Sequence, residues 1–203
     1  MIDRSNPRIP TVDVDSQFLD RWSPRSFVPT PLTDDQLAAL FEAARWAPSC
    51  YNEQPWLFLY AVTPEDRVRF GEALVAANQV WALHAPLLLF VLCRRRFRHN
   101  NQENRHAPFD AGAAWMALAL QARKLGLHAH AMAGFSRQKA YEILAVPQED
   151  YDIMAAVAIG RRGDAQMLPE DVAAREQPSQ RKPLAEVASE GRFSGEAELR
   201  TGV

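Results

Sequence analysis

The sequence predicts an α+β fold. Capped helical segments alternate with few apolar strands, no regular strand-helix-strand crossover repeat organises them, and beyond Gly160 the chain turns polar, with Pro169, Pro178 and Pro183 spacing out its charges. These observations argue against a doubly wound parallel sheet. They indicate one domain, residues 1 to 160, followed by an extended arm, residues 161 to 203.

Each element has a local cause. A short helix is expected around Asp13 to Asp20. Thr33 and Gln36 form a capping box, and Leu37, Leu40, Phe41 and Ala44 recur at helical spacing until Pro48 ends the helix. Trp56 to Val62 reads as a strand. Thr63 with Pro64 starts a helix expected to run unbroken over Glu65 to Ala77, and Leu87 to Leu92 reads as a buried strand. Arg94 to Pro108 is a polar loop long enough to be functional or mobile. Asp110 is placed to cap the next helix, which ends at Lys124 before Gly126. Its apolar residues surround much of its circumference, so it must be covered on most sides. An extended segment from His128 to Gly134, a helix from Ser136 to Leu144 and a strand from Asp152 to Ile159 complete the domain.

Bulk properties narrow the function classes. A formal net charge of -2, with charged residues at 24%, gives no global field for nucleic acid or an acidic membrane surface. The apolar run from Ala85 to Cys93 is too short to span a bilayer, and the N-terminus lacks a secretory pattern, so a cytoplasmic protein is expected. The two cysteines, Cys50 and Cys93, form no disulfide framework. A small molecule is the expected partner.

Two motifs concentrate chemistry. Arg21-Trp22-Ser23-Pro24-Arg25 holds two guanidinium groups and a hydroxyl in a stretch whose proline keeps Ser23 extended, so Arg21, Ser23 and Arg25 point to one side as an anion cradle. After one helix, Ala47-Pro48-Ser49-Cys50-Tyr51-Asn52-Glu53-Gln54-Pro55-Trp56 is rich in small and amide-bearing residues, a composition suited to a planar heteroaromatic ligand. Together they imply a phosphorylated, flat cofactor. The plainer alternatives are a solvated arginine pair and an ordinary helix-to-strand turn with Asn52 left-handed.

At these residues the sequence resembles the nitroreductase-like flavoprotein family. The resemblance implies an antiparallel or mixed sheet flanked by helices, and an obligate homodimer holding FMN at its interface. It implies that Arg21, Ser23 and Arg25 bind the flavin phosphate and that Pro48, Ser49 and Asn52 lie along the isoalloxazine ring, with Gln54 near its base. It further implies that the Ala133-Gly134 backbone faces flavin N5, and that Arg181 completes the phosphate site, with Arg161 and Arg162 as competitors. The helix ending at Lys124 would pack on its own sheet and on a second subunit, and the arm on the same domain or the partner. The implied activity is ping-pong hydride transfer from NADH or NADPH to an electron-poor acceptor such as a nitroaromatic or quinone. No catalytic side chain and no metal is called for.

Other readings compete. Within the family, enones, halogenated aromatics or flavin itself are alternative substrates, and a flavin carrier or sensor without turnover is a different class. His128 and His130, two apart in an extended segment, could share one face as a metal pair, though no third ligand is evident. The Arg94 to His99 cluster could gate the pocket or touch the phosphate of NADPH. Cys50 follows a helix C-terminus, which does not lower a thiol pKa, and is not read as a nucleophile.

Overall fold

A computed structural model describes residues 6 to 192. Its centre is an antiparallel sheet in the order β1-β5-β3-β2, with β4 also pairing β5. These strands are β1 (Phe27–Val28), β2 (Trp56–Ala61), β3 (Leu87–Arg94), β4 (His128–Met132) and β5 (Tyr151–Arg162). The helices are α1 (Ser16–Asp20), α2 (Asp34–Arg45), α3 (Pro64–Gly71), α4 (Ala76–Ala82), α5 (Ala107–Lys124), α6 (Arg137–Leu144), α7 (Glu170–Ala173) and α8 (Leu184–Val187).

The pleat of β3 divides the core. Leu87, Leu89, Val91 and Cys93 face a layer built from α2 and α5, where Leu40, Ala44, Leu118 and Ala122 are buried. Leu88, Phe90 and Leu92 face the opposite layer, with Phe70, Trp81 and Tyr141 from α3, α4 and α6. Both faces of β3 are therefore covered, which explains its uninterrupted apolar sequence. Its pairing with β5 shifts register between Val91 and Leu92. The α+β expectation and its flanking helical layers hold.

Several local expectations change. The expected single helix over Glu65 to Ala77 is two helices: α3 stops at Gly71, Leu74 bridges Phe135, and α4 starts at Ala76. Tertiary pairing at Leu74 outweighs the continuous helical pattern. The first helix starts at Ser16, because the Asp15 side chain accepts the Gln17 N–H and caps it there. β5 extends to Arg162, and its last residues pair with β1, a strand too short to announce itself in sequence. Asp110 does not cap α5. His106 occupies that position, and Asp110 is buried in the first turn, where it serves a neighbouring loop.

Candidate functional site

Extended backbone makes burial alternate along the arginine motif: Trp22, Pro24 and Ser26 are buried, while Arg21, Ser23 and Arg25 are half-buried on the other side. Trp22 is the anchor. Its ring meets His128 edge-on at 6.0 Å, and the Arg162 guanidinium lies 5.0 Å from its centroid. On the arginine side is a cavity of about 230 Å³ lined by Arg8, Arg21, Ser23, Arg25, Arg175 and Arg181, with His130 at its wall.

That cavity is short of negative charge. Among the described residues no carboxylate forms an ion pair with Arg8, Arg21, Arg25 or Arg181, and Arg175 reaches only Asp171, at 3.8 Å. Glu176 is buried beside the motif, yet its carboxylate accepts the backbone N–H groups of Arg25 at 2.8 Å and Ser26 at 3.0 Å. Burial, and then the charge of Arg181, hold the pKa of Arg21 below its ordinary value; burial, Arg181 and Arg21 do the same for Arg8. Mutually repelling guanidinium groups in a small cavity are the donor set that a phosphate monoester satisfies.

The chain ends supply half of this cluster. Arg8 is held by the Leu19, Arg21 and Ser179 carbonyls, and the tail from Arg175 to Arg181 lies over the motif of its own chain. Arg8 and Arg175 carry no local sequence signal, because only folding brings them to residue 21. Arg181 lines the cavity, whereas Arg161 and Arg162 do not.

The second motif is a strained loop. Tyr51, Asn52 and Gln54 have φ of 52°, 54° and 50°, in the left-handed region that costs a side-chain-bearing residue about 1 to 2 kcal/mol. Hydrogen bonds hold it there: Asn52 N–H donates to the Ser49 carbonyl and Gln54 N–H to Ser49 Oγ, both at 3.0 Å. The Cys50 N–H donates to Asp110 Oδ2 at 3.1 Å, tying the loop to the first turn of α5. Pro48, Asn52 and Gln54 are exposed, and Ser49 is half-buried.

The polar segment after β3 is ordered against this loop. The backbones of Arg96 and Glu103 pair in an isolated antiparallel bridge, and the Arg95 side chain pairs with Asp152 at 2.7 Å. Glu53, with a side chain only 6% exposed, accepts the Arg98 N–H at 2.9 Å and lies 3.9 Å from His99 Nδ1. Tyr51 meets Phe97 and His99 edge-on at about 6 Å. Sequence reading found the loop, but not the Glu53 contact that fixes it.

Ala133 and Gly134 follow β4. The Gly134 carbonyl accepts from Val75 N–H at 3.1 Å and Asn78 Nδ2 at 3.0 Å. A Cβ at Gly134 would lie 2.5 Å from Asn78 Nδ2, so glycine allows α4 to close on this turn. His128 and His130 part company as a pair: His128 packs on Trp22, while His130 bonds Pro24 and lies against Trp81. No group of three metal-ligating side chains occurs among the described residues.

The two motifs are far apart within one chain. The strained loop is bound at Asp110, near the start of α5. The arginine motif sits at the other end, where Trp22 packs on His128 and His128 lies 3.4 Å from Arg123. From Asp110 to Arg123 the helix rises about 20 Å.

An antiparallel sheet between two helical layers, carrying a strongly cationic cavity at one end of a buried helix and an amide-rich strained loop at the other, defines an α+β protein with a candidate small-molecule site. The chain belongs to the nitroreductase family, whose model matches residues 19–80 and 67–161. It is 45% identical to an oxidoreductase containing FMN whose crystal structure superposes with a TM-score of 0.88, covering 94% of this chain and 98% of that one. A Streptomyces coelicolor protein provisionally named an NADH dehydrogenase/NAD(P)H nitroreductase is 34% identical over 94 residues, and the match spans 46% of each chain, about half the length of that relative. A nitroreductase family protein from Clostridium difficile 630, 20% identical, shares the fold with a TM-score of 0.66, over 85% of this chain and 95% of that one. No helix among the described residues is long and apolar enough to cross a membrane.

Proposed function

We propose that this protein is an FMN-dependent oxidoreductase that works as a homodimer, taking reducing equivalents from NADH or NADPH and delivering them to an electron-poor acceptor such as a nitroaromatic or a quinone. The observation that carries this reading is the cavity of Arg8, Arg21, Arg25, Arg175 and Arg181, whose guanidinium groups lack adequate carboxylate partners. A flavin phosphate supplies about two negative charges and oxygens that match guanidinium forks. Ser23 adds a hydroxyl at the same wall. The FMN-containing structure that is 45% identical supports the choice of cofactor.

FMN supplies the hydride chemistry when bound, and the protein supplies position and exclusion of water. The Asn52 amide would offer donors and an acceptor to the edge of a planar ring, with Pro48 and Ser49 along it and Gln54 near its base. The Ala133-Gly134 backbone would face the ring, held in place by the bonds that the Gly134 carbonyl accepts from Val75 and Asn78. No side chain has to act as nucleophile or general acid.

The separation along α5 argues for two copies. A two-fold axis crossing this helix sets its N-terminal end beside the partner's C-terminal end, so each site takes its arginine cradle from one chain and its strained loop from the other. Surfaces suited to burial lie near the start of that helix: Phe109 is 79% exposed and Tyr51 84%.

The deciding experiment is an anaerobic absorbance spectrum of the protein with FMN, before and after adding NADH or NADPH. Loss of the oxidised flavin band is the expected result. Bound flavin that neither nucleotide bleaches would favour a carrier or sensor, and failure to bind FMN would overturn the reading.

A further inference from the structure

His130 is the one neutral titratable side chain lining the arginine cavity at neutral pH. Its Nδ1 lies 2.8 Å from the Pro24 carbonyl oxygen, and a carbonyl can only accept, so Nδ1 carries the proton and Nε2 holds a lone pair. The ring rests against Trp81 with centroids 4.6 Å apart, and the Nδ1 bond to Pro24 is the one hydrogen bond of this side chain among the described residues. A lone pair on the wall of a phosphate cavity repels the anion. A proton there would attract it.

We propose that His130 is a proton-linked ligand of the phosphate cradle: when a phosphate monoester enters, Nε2 takes one proton from solvent and donates it as a hydrogen bond to a phosphate oxygen. The inference rests on the cradle reading and deepens it by naming a ligand that nothing in the motif predicts. Its charge environment is one-sided. Arg21 and Arg25 act on it from the motif, and Arg8 from the N-terminal segment and Arg175 and Arg181 from the tail line the same cavity. Its own strand adds His128, which lies against Trp22 and Arg123; α4 adds only the indole of Trp81; Glu176 is committed to backbone amides. Burial first, then the charges of Arg25 and Arg21, keep the free imidazole neutral, with a pKa lowered to about 4. An incoming dianion offsets those charges and raises the proton affinity of Nε2.

The linkage has a definite sign. Protonation on binding makes phosphate affinity rise as pH falls, by up to about tenfold per pH unit for one coupled proton. The second ionisation of the phosphate itself, near pH 6 for a monoester and about one unit higher for inorganic phosphate, acts oppositely, so the contribution of His130 is read as a difference from a variant.

The test uses the full chain labelled with ¹⁵N-histidine and titrated with inorganic phosphate between pH 5.5 and 8. Nε2 of His130 should pass from a lone-pair to a protonated resonance on saturation, while Nδ1 stays protonated throughout. Calorimetry of FMN binding in two buffers of different ionisation enthalpy should show greater proton uptake by wild type than by His130→Gln, whose amide can donate but cannot titrate. Phosphate saturation with Nε2 still unprotonated, or absence of phosphate binding, overturns the proposal. Phosphate binding with protonation but no FMN binding supports it and overturns the flavin reading alone.

Discussion

Arg21 illustrates how a proposed binding group burdens the free protein. Its guanidinium is half-buried and repelled by Arg181, so Arg21→Gln should raise the melting temperature of the FMN-free protein. The same substitution removes a charge-assisted hydrogen bond, generally about 1.5 to 3 kcal/mol, and should weaken FMN binding about 10- to 100-fold. Riboflavin, which lacks the phosphate, should bind both forms alike in a flavin fluorescence titration. His130 carries a separate cost. Its folded pKa of about 4 lies below the ordinary value of 6.5, so the unfolded chain binds the extra proton first. Stability is full above about pH 6.5 and falls by about 3 kcal/mol as pH drops toward 4. His130→Gln should flatten that limb in urea melts recorded between pH 4 and 7.

The strained loop and the start of α5 behave as one unit. Asp110 is 3% exposed and accepts the Cys50 N–H, so Asp110→Ala leaves a partly buried donor unsatisfied beside three left-handed residues. We expect a loss of about 1 to 3 kcal/mol in denaturant melts, and a much smaller loss for Asp110→Asn, whose Oδ1 can still accept. Asp110→Ala should also weaken FMN binding without abolishing the phosphate response, because the cradle lies at the far end of α5. Most elements were legible from the sequence. The capping box at Thr33 and Gln36 forms as the spacing predicts, and β3 is the fully buried strand its apolar run suggests. The break between α3 and α4 was hidden, because the bridge between Leu74 and Phe135 joins residues distant in sequence.

At the scale of the proposed homodimer, a site divided between two chains makes a prediction that a site within one chain does not. Arg21→Ala should disable the cradle and Asn52→Ala the strained loop. A mixed dimer of the two variants would then pair wild-type cradle with wild-type loop at one of its sites, while the other site carries both defects. Mixed dimers, purified through two different tags, should therefore recover one FMN site each, whereas either homodimer should bind weakly. Recovery is impossible if each site is built from one chain, since every site in the mixed dimer would then carry a defect.

Local chemistry was sufficient to announce the arginine cradle, the amide-rich loop and the α+β class, because proline geometry, capping and strand alternation act over a few residues. The alternation of Arg21, Ser23 and Arg25 against Trp22 and Pro24 is of this kind. What depended on folding was which charges meet. Arg8, Arg175 and Arg181 join Arg21 because the two chain ends cross; Glu176 is bound to backbone amides; and His130 reaches the cavity wall from β4. The two motifs, close in sequence, end up about 20 Å apart along α5, since a helix converts residue count into distance and no local pattern records which end each loop will meet.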